Sequence, residues 1–302
     1  MPVLPTITGD QFNNSLTAPD NASYAIYGLG GNDTLTGLGG NDYLDGGTGA
    51  DTVYGGAGDD TIVWEAWDRL TGPTGDDYYG GAGYDRLIVS SFATEYGPRS
   101  FDLSDHGFEL AEVRGPDYST SGAPSYISYY VDGWVLYAQN IYDFEGRLQE
   151  TYVYDYANNQ NWSLYRQGRA PSGALEWQAT YFDDGSSTYQ AFDVGSAGSW
   201  SQYTDFRGAD GGLRARQTVN DNGSSESKYF DVLSQNFWSS YTDFHSAGGA
   251  LAARQAIFDV GSYQSTFFDV LGQNSWVQYT DYFSASGAFL GRAGINDDGT
   301  VF

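Results

Sequence analysis

Apolar residues recur with a period of nine between positions 28 and 88. Four consecutive nonapeptides and a fifth that begins at position 80 carry one at the eighth place, namely Leu35, Leu44, Val53, Ile62 and Leu87. Before each lies a turn sequence with Gly at the fourth place and Asp at the sixth. Because glycine accepts left-handed backbone angles at little steric cost, each turn can reverse the chain before a short strand that points its apolar residue inward. Two nonapeptides then complete one coil, which predicts a parallel β-roll with turns on two opposite edges.

The aspartates of these turns indicate a cation. Asp33 and Asp51 are eighteen residues apart and are predicted to share one edge, with Asp42 and Asp60 on the other. Carboxylates stacked at sheet spacing repel each other. Turns that offer carboxylate and carbonyl oxygens suit a hard ion with six to eight ligands at flexible geometry, which describes Ca²⁺ better than Mg²⁺. The chain has no cysteine and two histidines, which argues against zinc or copper.

The nonapeptides read GLGGNDTLT, GLGGNDYLD, GGTGADTVY, GGAGDDTIV and, from position 80, GGAGYDRLI. They resemble the GGxGxDxUx repeat of RTX, or hemolysin-type, calcium-binding proteins. The resemblance implies several bound Ca²⁺ ions, held by the carbonyl groups of the first four turn residues and by the sixth-position Asp. The ligands implied in this way are Gly28, Leu29, Gly30, Gly31, Asp33, Gly37, Leu38, Gly39, Gly40, Asp42, Gly46, Gly47, Thr48, Gly49, Asp51, Gly55, Gly56, Ala57, Gly58, Asp60, Asp76, Gly80, Gly81, Ala82, Gly83 and Asp85.

Residues 1–27 are predicted to cap the roll that spans 28–90. They contain degraded nonapeptides in which Asn14 stands where Asp is expected, while Leu16 and Ile26 continue the inward line. A terminal coil has a neighbour on one side only, so atypical units are expected there.

The segment WEAWDRL, Trp64 to Leu70, interrupts the roll. TGPTGDDYY follows it and is predicted to be another weak nonapeptide, with Asp76 at the sixth place and Tyr78 inward. The two tryptophans and two acids of the interruption favour a local binding feature. The alternative is a loop whose aromatic rings pack over the open face of the roll.

Residues 91–133 are predicted to connect the roll to the rest of the chain. Alternating apolar residues at Phe101, Leu103, Phe108 and Leu110 indicate short strands that close the roll. His106 beside Asp105 is interpreted as a polar contact rather than a catalytic base. The turn-rich segment 119–125 is a predicted boundary.

Residues 134–302 contain a second repeat, with a period of thirty-eight. Its landmarks are Trp162, Trp200, Trp238 and Trp276. Each copy is predicted to form three strands, for example Trp200 to Phe206, Leu213 to Val219 and Glu226 to Val232, with Gly-, Asn-, Asp- and Ser-rich turns typical of antiparallel hairpins.

Simple alternation along the first of these strands places Trp200 and Gln202 on one face and Tyr203 on the other.

The two repeats together predict an all-β fold class, a parallel β-roll followed by a repetitive antiparallel sheet or β-solenoid. A small β-propeller is the alternative. The heptad YDFEGRL at Tyr142 to Leu148 resembles the YD repeat of RHS-type proteins, and the longer pattern resembles tandem repeats appended to some RTX proteins.

Composition and targeting signals restrict the setting. Thirty-nine acidic and thirteen basic residues give a net charge of −26, which argues against nucleic acid and anionic membranes as partners. The first ten residues lack a secretory signal, and no apolar run is long enough to span a membrane. The RTX resemblance implies an extracellular location reached through type I secretion machinery with an uncleaved C-terminal signal. The ending Asp297 to Phe302 fits both such a signal and a further repeat.

No nucleophile elbow, HExxH motif, phosphate loop or nucleotide fingerprint occurs, so no catalytic residue is assigned and the balance is against an enzyme. Two functional classes are carried forward. One is a secreted calcium-binding protein whose repeats form an extracellular binding or surface-associated module. The other is a carbohydrate-active protein, either a polysaccharide-binding module or a lyase, that uses the aromatic repeats. The burial of the four repeating tryptophans should discriminate between them.

Overall fold

A computed structural model of the chain describes residues 3–64, 75–89, 103–114, 126–131, 135–143 and 145–302. Predictions that concern residues 65–70, Phe101, the turn 119–125 and Trp134 lie outside these residues. The described chain is all-β, with one short 3-10 helix at Ser104–His106. It divides into two compact units, residues 1–157 and 158–302, and the domain boundaries drawn from the sequence stay predictions.

Nine short strands build the roll of the first unit. They are β1 (Thr6–Thr8), β2 (Ser15–Thr17), β3 (Ala25–Tyr27), β4 (Thr34–Thr36), β5 (Tyr43–Asp45), β6 (Thr52–Ala57), β7 (Thr61–Trp64), β8 (Asp77–Ala82) and β9 (Arg86–Val89). The odd-numbered strands pair in parallel in one sheet. Strands β2, β4, β6 and β8 pair in parallel in a second sheet. This is the predicted parallel β-roll, in which successive strands alternate between two sheets.

The strand register reproduces the nonapeptide period and its interruption. Leu44 pairs with Ile62, eighteen residues on, but Ile62 pairs with Leu87, twenty-five residues on. The extra seven residues equal the length of the WEAWDRL segment. Trp64, its first residue, nevertheless belongs to β7, pairs with Val89 and is buried in the core, so the prediction that Trp64 is part of the interruption is wrong. All five predicted inward residues have no solvent exposure, and Tyr78 is 1% exposed, so the inward assignments are confirmed. These side chains make up the hydrophobic core of the roll.

Strand β10 (Leu110–Arg114) joins the roll to an antiparallel sheet. It pairs in parallel with β9 and antiparallel with β11 (Tyr126–Val131). Leu103 and Phe108 are buried against the last coil, as expected for a segment that closes the roll. Strands β12 (Val135–Tyr142) and β13 (Leu148–Tyr154) continue the antiparallel order.

The second unit is a meander of eleven strands in which each strand pairs antiparallel with the next. They are β14 (Trp162–Arg169), β15 (Leu175–Phe182), β16 (Ser187–Phe192), β17 (Trp200–Arg207), β18 (Leu213–Asn220), β19 (Ser225–Phe230), β20 (Trp238–His245), β21 (Leu251–Phe258), β22 (Tyr263–Phe268), β23 (Trp276–Phe283) and β24 (Phe289–Asn296). Pairing continues from one copy of the repeat into the next, whereas propeller blades are separate sheets. The repetitive sheet is therefore confirmed and the propeller alternative is wrong.

The predicted face of Trp200 is wrong because a β-bulge precedes the regular part of the strand. Trp200 pairs with Asn220 and Gln202 with Val219, so Ser201 is the extra residue. The bulge moves the indole to the face of Tyr203, where the two rings meet edge to face with centroids 5.2 Å apart. The next two copies repeat this arrangement with Trp238 and Trp276.

Consecutive copies of the repeat present these clusters on opposite faces of the sheet. Directly paired residues share a face, and the pairing runs from Tyr203 through Thr218 and Glu226 to Phe244. Phe244 lies three residues from Tyr241, so Tyr241 faces the other way. The same count inverts the face again at Tyr279.

Residues 158–302, all of which the structure describes, bury few apolar side chains. Ala179 and Ala191 are the buried hydrophobic residues of this unit, and the aromatic rings of both faces are half-buried or exposed. Aspartates Asp205, Asp243 and Asp281 are more buried than any of those rings. Cross-strand side-chain pairs, rather than an apolar core, are thus the main visible source of cohesion here.

Candidate calcium-binding turns

The first edge of the roll carries a ladder of carboxylates. The Oδ1 of Asp33 accepts a hydrogen bond from the Asn14 N–H at 2.7 Å, and the Oδ1 of Asp51 accepts one from the Asp33 N–H at 2.7 Å. Asp76 continues the ladder by accepting from the Asp51 N–H at 2.9 Å. Each sixth-position side chain therefore holds the backbone of the preceding coil on the same edge.

The opposite edge carries the matching ladder. Asp42 accepts from the Tyr24 N–H at 2.6 Å, and Asp60 accepts from the Asp42 N–H at 2.8 Å. Asp85 accepts from the Asp60 N–H at 2.8 Å. A residue that the sequence interpretation missed completes it, since Glu109 Oε2 accepts from the Asp85 N–H at 2.6 Å.

The second carboxylate oxygen of these sixth-position aspartates lies in a different environment from the first. In Asp33, Asp42, Asp60 and Asp85 the Oδ2 atom is buried and has no hydrogen-bond partner within the described structure. These side chains are at most 2% exposed. Burial raises the pKa of Asp33, Asp42 and Asp85 above 3.8, and it raises the pKa of Asp60 to about 7, with the carboxylates of Asp85, Asp42 and Asp59 adding to the effect. A buried oxygen of this kind needs a proton or a cation.

Glycine at the first turn position keeps space open beside these oxygens. A Cβ atom on Gly28 would collide with Asp33 Oδ2 and with the Gly46 carbonyl oxygen of the next coil. A Cβ on Gly37 would collide in the same way with Asp42 Oδ2 and the Gly55 carbonyl oxygen, and the pattern continues at Gly55 and Gly80. One carboxylate oxygen and one carbonyl oxygen therefore border a gap that only glycine leaves free.

Most of the predicted ligand residues lie in turns, and the others lie at the ends of two strands. Residues 28–31, 37–40 and 46–49 lie between strands, whereas 55–57 and 80–82 extend β6 and β8. The Leu38 carbonyl accepts a hydrogen bond from the Ala57 N–H, and the Leu29 carbonyl accepts hydrogen bonds from both the N–H and the hydroxyl of Thr48. The assignment of these carbonyls as ligands stays a prediction.

A second polar ladder runs beside the first and was also missed from the sequence. The N–H of Ala50 donates to Asn32 Oδ1 at 3.1 Å, the N–H of Asp59 donates to Asn41 Oδ1 at 3.0 Å, and the N–H of Tyr84 donates to Asp59 Oδ1 at 2.9 Å. All three acceptors stand at the fifth place of a nonapeptide. The residue type at the fifth place varies, but the amide or carboxylate oxygen of Asn32, Asn41 and Asp59 was the signal available in the sequence.

The donor set of these turns fits a hard cation. Among the described residues, no three carboxylate, imidazole or thiol side chains converge on one point. Each gap instead combines a carboxylate oxygen with backbone carbonyls, which is a Ca²⁺-type environment. The buried oxygens, the gaps beside the glycines and the absence of soft ligands in the chain agree with one another.

Comparison with known protein families adds the decisive observation for this segment. Residues 27–62 match the RTX calcium-binding nonapeptide repeat in four copies. The match implies Ca²⁺ as the ion and a parallel β-roll as the fold of this segment. No curated protein matches the chain. The YD-like and RHS-like character of the later repeats stays a resemblance.

A histidine and two acidic pairs, residue types that can carry catalysis, lie outside the calcium-binding turns. His106 stacks on Tyr79 with ring centroids 5.5 Å apart, and Tyr79 stacks on Tyr54 at 5.2 Å. The acidic pairs Asp183 with Asp184 and Asp297 with Asp298 lie in hairpin turns. The described part of the chain contains no helix that is long and apolar enough to cross a membrane.

The repeating tryptophans do not form the single groove that would favour a polysaccharide lyase. All four are half-buried, and successive copies lie on alternate faces. They are therefore neither a buried core nor one continuous platform.

Proposed function

We propose that this chain is a secreted calcium-binding protein whose β-roll becomes stable when Ca²⁺ binds outside the cell. The observation that carries the proposal is the row of buried Asp Oδ2 atoms without hydrogen-bond partners, at Asp33, Asp42, Asp60 and Asp85. The family match over residues 27–62 supports the identity of the ion.

Charge explains why folding depends on the ion. Residues 1–90 contain thirteen Asp and Glu residues against Arg69 and Arg86. In calcium-poor surroundings the ionised carboxylates of the turns repel one another and oppose compaction, which keeps the segment extended for export. A ligand that binds only the folded turns stabilises them by about 2.7 kcal/mol per site at roughly a hundredfold excess over Kd.

The route and the role of the repeats complete the proposal. Export through type I secretion machinery follows from the RTX resemblance. The hairpin turn at Asp297 to Thr300 continues the thirty-eight-residue pattern, and a secretion signal in the same residues is part of the proposal. The tyrosine-rich sheet would then act as the extracellular binding or surface-associated module.

The test is a calcium titration of chelator-treated full-length protein, followed by far-UV circular dichroism and tryptophan fluorescence. Trp64 is 7% exposed in the roll and meets Tyr78 edge to face at 6.2 Å, so its environment reports on this segment. We expect β signal to rise cooperatively with Ca²⁺ and to rise much less with equal Mg²⁺. A native-like β signal in chelator that does not respond to Ca²⁺ would overturn calcium-dependent folding.

A further inference from the structure

A cavity of about 460 Å³ opens on one face of the sheet formed by β15 to β18. Its wall contains Tyr181, Tyr189 and Tyr203 together with Asp205, Arg207 and Arg216. The small side chains of Ala179 and Ser187 form its floor, because they lie in the same cross-strand rows as the larger ones. This volume is typical of small-molecule sites.

The charges around this cavity are unusual for so acidic a chain. Asp205 accepts two hydrogen bonds from Arg216, at 2.5 and 2.8 Å, and Arg207 Nη2 lies 3.7 Å from the same carboxylate. Lys228, the single lysine of the chain, is the direct cross-strand neighbour of Arg216. Within the cavity wall, one buried carboxylate therefore faces two guanidinium groups, which leaves an excess of one positive charge there in a protein of net charge −26.

Some of the residues around the cavity recur in the later copies of the repeat, and others do not. The Asp–Arg pair recurs as Asp243 with Arg254 and Asp281 with Arg292, and each guanidinium lies over a tyrosine ring. This conserved pattern within the chain holds the hairpins together.

The residues that line the cavity are different in the later copies. Tyr189 is replaced by Ser227 and Ser265 at the equivalent positions, and Arg207 by His245 and Phe283. Tyr181 is likewise replaced by Val219 and Ile257. The tyrosines of the copy that begins at Trp162 thus meet Arg207 of the copy that begins at Trp200, beside an Asp–Arg pair that recurs in the two copies that follow.

We propose that this cavity binds an acidic saccharide, a sugar chain that carries carboxylate groups. Tyrosine rings offer apolar faces and hydroxyl groups to a sugar, and Tyr181 is 38% exposed. The side chain of Arg207 is 44% exposed, and a guanidinium can bond a carboxylate with two parallel N–H groups. The positive excess selects an acidic chain over a neutral one. This site lies in the repeat sheet and does not depend on the calcium ligands.

The test is isothermal titration of the full-length protein with tetragalacturonate at constant Ca²⁺. Maltotetraose serves as the neutral sugar and inorganic sulfate as the simple anion. We expect binding of the acidic sugar alone. Arg207→Gln should weaken it about tenfold or more, since a charge-assisted hydrogen bond is lost while the Asp205–Arg216 pair remains. Tyr189→Ser, which installs the residue of the later copies, should also weaken binding.

The matched controls change the equivalent positions of the second copy, His245→Gln and Ser227→Ala, and should leave the affinity unchanged. Circular dichroism of each variant at the same Ca²⁺ concentration checks that the roll and the sheet remain folded. Equal affinity for maltotetraose or sulfate would overturn the proposal, as would unchanged binding by Arg207→Gln or no binding of tetragalacturonate at all. None of these results alters the calcium titration of the roll, so the two proposals fail separately.

Discussion

Asp60→Asn should stabilise the metal-free roll, and Ca²⁺ should remove most or all of that difference from the wild type. Asparagine keeps an Oδ1 acceptor for the Asp42 N–H, which lies 2.8 Å from that atom in Asp60, so the ladder persists. It replaces the buried Oδ2, which has no hydrogen-bond partner, with an uncharged amide nitrogen that cannot ligate a cation. The substitution therefore isolates the charge from the backbone contact.

The magnitudes follow from the environment of this carboxylate. Burial raises the pKa of Asp60 to about 7 from 3.8, and each pKa unit is worth about 1.36 kcal/mol. The ionised side chain thus costs the metal-free fold on the order of 4 kcal/mol above pH 7, a cost that Asn removes. Ca²⁺ bound at this site adds about 2.7 kcal/mol at a hundredfold excess over Kd and about 4.1 kcal/mol at a thousandfold excess, which the Asn variant forgoes. The net gain of the variant should therefore fall to about 1 kcal/mol and then to about zero.

The assay is hydrogen exchange of peptides that cover residues 28–64, in chelator and in excess Ca²⁺, at a pH of about 8. We expect Asp60→Asn to slow exchange strongly in chelator and to have little effect on exchange at a thousandfold excess of Ca²⁺ over Kd. The control is Asp59→Asn, which makes the same charge change at the adjacent, exposed residue and keeps its acceptor for the Tyr84 N–H. A change of equal size in both conditions, or an equal effect of the control, would refute the assignment of Asp60 as a ligand.

Two further predictions concern protons and backbone strain. The folded pKa of Asp60 is about 7, above its unfolded value, so its protonation stabilises the metal-free roll below about pH 4 and this contribution is lost as the pH rises through 7. Ca²⁺ binds the ionised form, so the Ca²⁺ concentration at the midpoint of a circular dichroism titration should decrease as the pH is raised from about 5.5 to about 7.5. A midpoint concentration that does not depend on pH would contradict this. Leu38 has a φ of 68° and is 43% exposed, so Leu38→Gly should relieve left-handed strain and raise the free energy of unfolding in Ca²⁺ by up to about 1 kcal/mol, measured with urea. Lower stability of that variant would show that the leucine side chain contributes contacts that outweigh the strain.

The roll was predictable from sequence because its period, its turn residues and its core are the same pattern. Leu35 and its counterparts could be assigned inward from the nonapeptide alone, and the register confirms this. Glu109 could not, since it lies beyond the last nonapeptide and reaches the ladder only through the folded coil. The face of Trp200 could not be predicted from sequence for a related reason, because the bulge at Ser201 depends on pairing with the next strand.

The alternating faces of the second unit follow from the three strands in each repeat. In a meander, an odd number of strands reverses the direction of the equivalent strand in the next copy, and the observed register also inverts its face. Tyr203 and Tyr279 therefore share a face, while Tyr241 lies on the other. Equivalent clusters on one face are six strands apart, or about 29 Å at the usual strand spacing. A ligand that contacts neighbouring residues along one face thus meets a single cluster, so specificity must come from residues that differ between copies, such as Arg207, rather than from the regular tryptophans.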